Sequence, residues 1–223
     1  TAAYAAAAAG LPGIPHEAAE KASRKDIMRQ TFREKGIPSP KFAVCTSENR
    51  EELRSAAASV GYPLVLKPVD NMGARGIRRL DTPDEAARWA EEAFAFSRSG
   101  RVILEEYIPG PEFSLDALIY EGAIHICGCA DRDIRFSPYF VEMGHTMPSG
   151  YPSSTLEEVK EVFRRGIVSL GLTIGAAKGD IKIGPKGVMV GEIAARLSGG
   201  YMSGWTYPYA YGTLVTKNAI RLA

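Results

Sequence analysis

The sequence predicts an α+β fold built mainly on antiparallel sheets. Three observations carry this reading. Helical and strand-like segments interleave irregularly, hairpins outnumber βαβ crossovers, and no G-x-G-x-x-G marks a doubly wound nucleotide domain. The 223 residues are 45% hydrophobic and 24% charged, enough for one large or two small domains with a sizeable core.

Residues 1–22 predict a helix and then a connector punctuated from Gly10 to Pro15. Ser23 is an N-cap candidate for a helix running through Ile27, Met28 and Phe32 to a stop at Gly36. Lys41–Cys45 predicts a short strand, 48–60 a helix, Pro63–Val69 a buried strand and Ile77–Leu80 its return. Thr82-Pro83-Asp84-Glu85 is a capping box with proline at the first helical position, opening a helix to Ser97. Val102–Ile108, Glu112–Tyr120 and Ala123–Ala130 predict strands, the last two joined by a turn at Glu121-Gly122. Tyr139–Met147 is expected to be extended. Ser154–Glu157 has the pattern of a second capping box, and Leu156, Val159, Phe163, Ile167 and Leu170 follow at helical spacing. Strands 177–183 and 188–195 then precede a Gly/Tyr-rich turn and a final helix from residue 208.

A net charge of +1 leaves no basic excess for nucleic acid. No apolar run reaches membrane-spanning length, and Ala2–Ala9 lacks the basic leader of a signal peptide. Cys45, Cys127 and Cys129 form neither an even framework nor a zinc spacing. Cys127 and Cys129 are expected on one face of a strand as core thiols, in a reducing, cytoplasmic setting.

The strongest chemical signal lies near the end. Gly184–Val188 links two apolar strands, and a three-residue loop Pro185–Gly187 would place Asp180 opposite Glu192. Facing carboxylates repel unless a hard divalent cation lies between them. A solvated hairpin with two exposed acids is the plainer alternative, but Ile181, Ile183, Val188, Val190 and Ile193 indicate a partly buried sheet. Arg196 falls on the Glu192 face if the strand persists. Lys67 ends the apolar run Pro63–Leu66, where a buried ammonium needs an anion. Asp70–Gly76 follows, and its Gly73 and Gly76 can bring backbone N–H groups close to phosphate. Lys25, in the first turn of its helix, opposes the helix dipole and would suit an anionic ligand. Val102–Ile108 ends in two acids, Glu105 and Glu106, before Pro109, and its backbone can read adenine edges, with Glu112 accepting ribose hydroxyls. Taken alone, this segment reads better as a strand running out to an exposed acidic turn. His145, Arg132 and Arg135 are candidates near a substrate, against the commoner structural histidine and exposed ion pairs.

In this order the motifs resemble the ATP-grasp superfamily over nearly the whole chain, closest to its carboxylate–amine (L-amino-acid) ligase branch and related to biotin carboxylase and carbamoyl-phosphate synthase. Tyr62–Pro68 with Gly73-Ala74-Arg75-Gly76 looks like the strand lysine and phosphate-covering loop. Leu104–Ile108, including Tyr107, looks like the adenine hinge, and Glu112 like the ribose carboxylate. Gly175–Asp180 and Val190–Arg196 look like the paired metal strands, Lys25 like the phosphate lysine, and Glu142–His145 with Pro148 like a segment of the ligase branch. The resemblance implies two subdomains gripping ATP between mainly antiparallel sheets. Residues 1–22 would be a linker or helix from a missing N-terminal domain, 23–100 the smaller subdomain region and 101–223 the larger one with the metal site. It further implies ATP and Mg2+ (or Mn2+), with Asp180 and Glu192 as metal ligands. Lys25 and Lys67 would hold phosphates, and Arg196 the transferring group, with His145 and Arg132 near the substrate. The implied activity joins a small-molecule carboxylate to an amine through an acyl phosphate. Bicarbonate activation and a non-catalytic nucleotide-binding subunit of a split enzyme are the alternatives. Many members carry Asn two residues after the second metal acid, where this chain has Ala194.

Overall fold

A computed structural model of the chain describes residues 2–46, 49–71 and 73–222. Residue 48, the expected start of the second long helix, and Met72, in the expected phosphate loop, lie outside these, as do residues 1, 47 and 223. Helices α1 (Ala2–Ala8), α2 (His16–Ser23) and α3 (Lys25–Glu34) lead into β1 (Phe42–Thr46), α4 (Glu52–Val60), β2 (Leu64–Pro68), β3 (Arg78–Leu80), α5 (Pro83–Ala95) and β4 (Arg101–Glu106). Then come β5 (Glu112–Tyr120), β6 (Ala123–Arg135), β7 (Val141–Thr146), α6 (Ser153–Leu170), β8 (Gly175–Gly184) and β9 (Gly187–Ala194). A π-helical turn, Met202–Thr206, precedes α7 (Tyr207–Tyr211) and α8 (Val215–Leu222).

The strands form a four-stranded sheet, β1-β4-β2-β3, and a five-stranded sheet, β7-β6-β5-β8-β9, with every pairing antiparallel. In the first, Leu64, Leu66, Val102 and Leu104 project by strand alternation into one core with α4 and α5. In the second, Phe113, Leu115, Ala117 and Ile181 face α2, α3 and α6. The opposite face of that sheet is covered at one end by Met202, Tyr207 and Val215. β4 lies between β1 and β2, so the first sheet extends past the expected boundary at residue 100. Conversely α3, expected with the smaller subdomain, buries Met28 and Phe32 in the core of the second sheet.

Local chemistry explains most element ends. Thr82 accepts from the Glu85 N–H and the Glu85 side chain accepts from the Thr82 N–H, the capping box expected of α5. Two expected caps are corrected. Ser23 closes α2 by donating to Ala19 O at 2.7 Å, and Arg24 occupies the N-cap of α3 without a side-chain cap. Helix α6 starts one residue before Ser154, after Pro152, with no side-chain cap, so Ser154–Glu157 is already inside the helix. The final helix is also broken up: Gly212, at φ 71°, separates α7 from α8. Cys127 and Cys129 do not share a face. A bulge at the Asp116/Ala117 register leaves Cys127 as the extra residue, so it joins the C-terminal cluster while Cys129 faces α6. Burial pushes both thiols up to about 12.

Phe163 on α6 is fully buried and lies on Gly179 of β8, where a Cβ would come within 2.4 Å of its ring. Phe163→Ala should therefore cost about 3–5 kcal/mol. Equilibrium urea unfolding checks this as a lowered midpoint at unchanged slope.

Candidate functional site

The β8–β9 hairpin sets the site. Its connection is the two-residue turn Pro185-Lys186, with Gly184 opposite Gly187, rather than the expected three-residue loop. A register shift then leaves Gly191 as an extra residue, with Ile181 opposite Val190 but Asp180 opposite Glu192. The two departures cancel. Without the bulge Asp180 would face Gly191, and Glu192 would project toward the core. Glycine is required there because a Cβ would stand 2.9 Å from Asp180 O.

Strand alternation puts Lys178, Asp180 and Lys182 on one face of β8, with Glu112, Ser114 and Asp116 of β5 beside them. Arg132 of β6 forms an ion pair with Asp180 at 3.1 Å and donates to Glu112 at 3.2 Å and to Glu142 of β7. Lys178 also reaches Asp180, and Lys182 reaches Glu112 at 2.6 Å. Burial works against the charge on Asp180, but Lys178 and Arg132 outweigh it and hold the carboxyl below its ordinary value. The side chain of Asp180 is 17% exposed and that of Glu192 39%, so Glu192 is the open member of the pair. His145 lies opposite Arg132, its Nε2 3.7 Å from Glu142, and burial lowers its pKa. The Ser114 hydroxyl, opposite Asp180, and His145 Nε2 are both buried without a hydrogen-bond partner.

The first sheet contributes its own charges. Lys67 of β2 meets Glu105 of β4 at 2.5 Å, and Arg29 of α3 donates to both Glu105 oxygens at 2.9 and 3.2 Å. Burial disfavours the Glu105 carboxylate, yet Arg29 and Lys67 hold it down to about 2. Burial likewise lowers the Lys67 pKa, with Glu105 opposing. Lys25 begins α3 and donates to Asn71 O at 3.1 Å, at the start of the glycine loop, while lying 3.7 Å from Glu192.

Residues 60–204 match the family described as ATP-grasp domain. The chain belongs to the ATP-grasp family. This ATP-grasp chain is 27% identical to carnosine synthase 1 of Gallus gallus, the match covering 96% of this chain and 25% of that protein. The L-amino acid ligase of Bacillus licheniformis has a similar fold, with a TM-score of 0.81 and 23% identity over 99% of this chain and 53% of that one. Biotin carboxylase of Campylobacter jejuni gives 0.83 and 17% identity over 98% of this chain and 50% of that one. The chain thus spans a quarter to about half of these relatives. The ATP-grasp fold is the one expected from the motifs.

Within the ATP-grasp frame, the other expected site residues fall unevenly. Gly73, Ala74 and Arg75 are exposed, and Gly76, at φ 70°, is buried against Phe96 and Pro68. Glu106 points away from Glu105 and meets Lys186 at 2.6 Å. The Tyr107 ring lies among Arg79, Lys182 and Phe140, and Ile108 is buried under Gly184. Arg196 departs from expectation. The strand ends at Ala194, so Arg196 is exposed and donates to Leu197 O at 2.9 Å instead of lying on the Glu192 face. Its loop is pinned by Asp116, which accepts from the Ser198 N–H and hydroxyl and from Ser203. Arg135 pairs with Asp133 on the surface. Sequence reasoning missed Arg29, Lys178 and Lys182. The period-2 pattern Lys178-x-Asp180-x-Lys182 was available as a signal, whereas nothing local marks Arg29.

Among the described residues, no group of three or more His, Cys, Asp or Glu side chains is arranged to hold a metal by itself. Two opposed carboxylates with an unpartnered serine hydroxyl beside them fit a hard cation that takes its remaining oxygens from water and phosphate. The cations beside them fit the phosphate.

The Glu105 shift has a pH consequence. Its folded value lies below the ordinary 4.5, so its stabilisation is fully present above pH 4.5 and is lost as pH falls toward about 2. Acid unfolding of Glu105→Gln should lack that component, and at pH 7 the variant should be about 3–5 kcal/mol less stable because Lys67 and Arg29 lose their counter-charge.

Proposed function

We propose that this chain is the ATP- and magnesium-dependent ligase domain of an enzyme that activates a carboxylate as an acyl phosphate for attack by an amine. The observation that carries the reading is the opposition of Asp180 and Glu192 on a face shared with Lys178, Lys182 and Arg132. Bound magnesium–ATP supplies the phosphoryl group. Asp180 and Glu192 hold the metal, which manganese can replace, and Lys25 and Lys67 hold phosphate oxygens. The Gly73–Gly76 loop, with Arg75, covers the phosphates and excludes water. The backbone at Glu105–Ile108 takes the adenine, and Glu112 the ribose. Arg132 and His145 orient the substrate carboxylate beside Asp180 and Glu192. Arg196, exposed just beyond the end of β9, takes the transferring group.

Catalysis on this account is positioning and charge neutralisation. An internal ion pair such as Arg132–Asp180 exchanges for ligand charge without leaving a buried ion bare. The amine-ligase reading is supported by the names of relatives, L-amino acid ligase and carnosine synthase. A further domain or partner subunit, corresponding to the part of the relatives that this chain does not span, completes the pocket for the carboxylate and the amine. Among the described residues no helix is long and apolar enough to cross a membrane. The buried thiols suit a reducing compartment such as the cytoplasm.

Glu192→Ala and Asp180→Asn should each abolish magnesium-dependent ADP release, and EDTA should do the same to the unmutated chain. The measurement is coupled ADP detection, with the completing domain or subunit present, across a panel of amino acids, with bicarbonate in a separate arm. Release with bicarbonate alone would replace the amine-ligase reading with a carboxylase one. Wild-type release from Glu192→Ala would reject the metal assignment.

A further inference from the structure

Arg29 joins the two halves of the site. It is 2% exposed, and its fork is engaged on both sides. Toward the first sheet, Nε and Nη2 bind the two oxygens of Glu105, which itself holds Lys67. Toward the second sheet, Nη1 donates to Val190 O at 3.1 Å and Nη2 to Gly191 O. Those carbonyls flank the register shift that turns Glu192 toward Asp180. Gly191 is the extra residue of that shift, and it is closed in from both directions. Asp180 O stands 2.9 Å from where its Cβ would be, and the guanidinium holds its carbonyl.

Core packing does not account for an arginine here, since Met28 and Phe32 already provide the apolar face of α3. Burying a guanidinium, a carboxylate and an ammonium together is also weak evidence for stability, because desolvation offsets most of their attraction. What the arrangement does provide is registry. A planar fork can meet a carboxylate and two carbonyls at once, which the single ammonium of a lysine cannot.

We propose that Arg29 is a positioning residue for the magnesium–phosphate site, fixing the Gly191 bulge that presents Glu192 and, through Glu105, the ammonium of Lys67. This rests on the nucleotide reading of Asp180 and Glu192. Arg29 touches neither metal nor nucleotide in this role. Its effect falls on how much magnesium strengthens nucleotide binding.

Isothermal titration of the full 223-residue chain with a non-hydrolysable ATP analogue, in EDTA and across a magnesium series, tests it. Arg29→Lys keeps a cation on Glu105 but loses the fork. Its magnesium affinity in the complex should fall about 10–100-fold, the range for residues that orient metal ligands, while analogue binding in EDTA changes much less. Gly191→Ala, which presses on the same bulge from the Asp180 side, should act in the same direction and carries the test if Arg29→Lys does not fold. Wild-type magnesium affinity in the folded variants, even with a lowered thermal midpoint, means a merely structural arginine and overturns the proposal. If magnesium has no effect on analogue binding by the unmutated chain, the nucleotide reading fails and the positioning role falls with it.

Discussion

One extra residue in one strand decides where the charges of this protein meet. The Gly191 bulge rotates Glu192 onto the face of Asp180, so two acids stand opposite each other on adjacent strands. Such a pair is unfavourable by itself. It persists because Lys178 and Arg132 lie on Asp180 and Lys25 approaches Glu192. The polar face of the second sheet is therefore a field of balanced charges rather than an acidic patch. Balanced charges suit a ligand that brings both signs at once, as a metal–polyphosphate does.

The two sheets are tied where their charges meet. Each packs its apolar face against its own helices. The faces that remain are bridged by Glu105 with Lys67 and Arg29. At the other end of the polar face the C-terminal segment closes over Leu118, Cys127 and Ala176. Gly128 leaves room there for the Tyr211 ring, whose hydroxyl donates to Cys129 O at 2.5 Å. One end of the face is thus sealed by aromatic packing, and the end carrying Asp180 and Glu192 stays accessible.

The strands were legible because their signal is period-2 burial, which a sequence displays directly. Lys67 at the end of Pro63–Leu66 and the acids of the last hairpin stood out for that reason. The Asp180–Glu192 pairing was anticipated through the wrong turn, and it held because a shorter turn and a bulge compensate each other. Features that depend on one hydrogen bond were read less well. Ser23 fits the pattern of an N-cap but closes the preceding helix, and Ser154 lies inside the helix it was expected to cap. Cys127 follows strand alternation on paper, yet a bulge in β6 moves it to the other face.

The sequence by itself determined the alternation of strands, the capping box at Thr82, the amphipathic face of α6 and the presence of a buried lysine needing an anion. These are local properties, set by neighbours within a few residues of one another. Tertiary structure alone decided that the anion for Lys67 is Glu105 and that β4 belongs between β1 and β2. It also decided that an arginine in α3, 161 positions from Val190, holds the carbonyls at the bulge in β9. Coulomb attraction and hydrogen bonding act through space, and a linear order of residues does not encode which distant groups the fold will bring within 3 Å of each other.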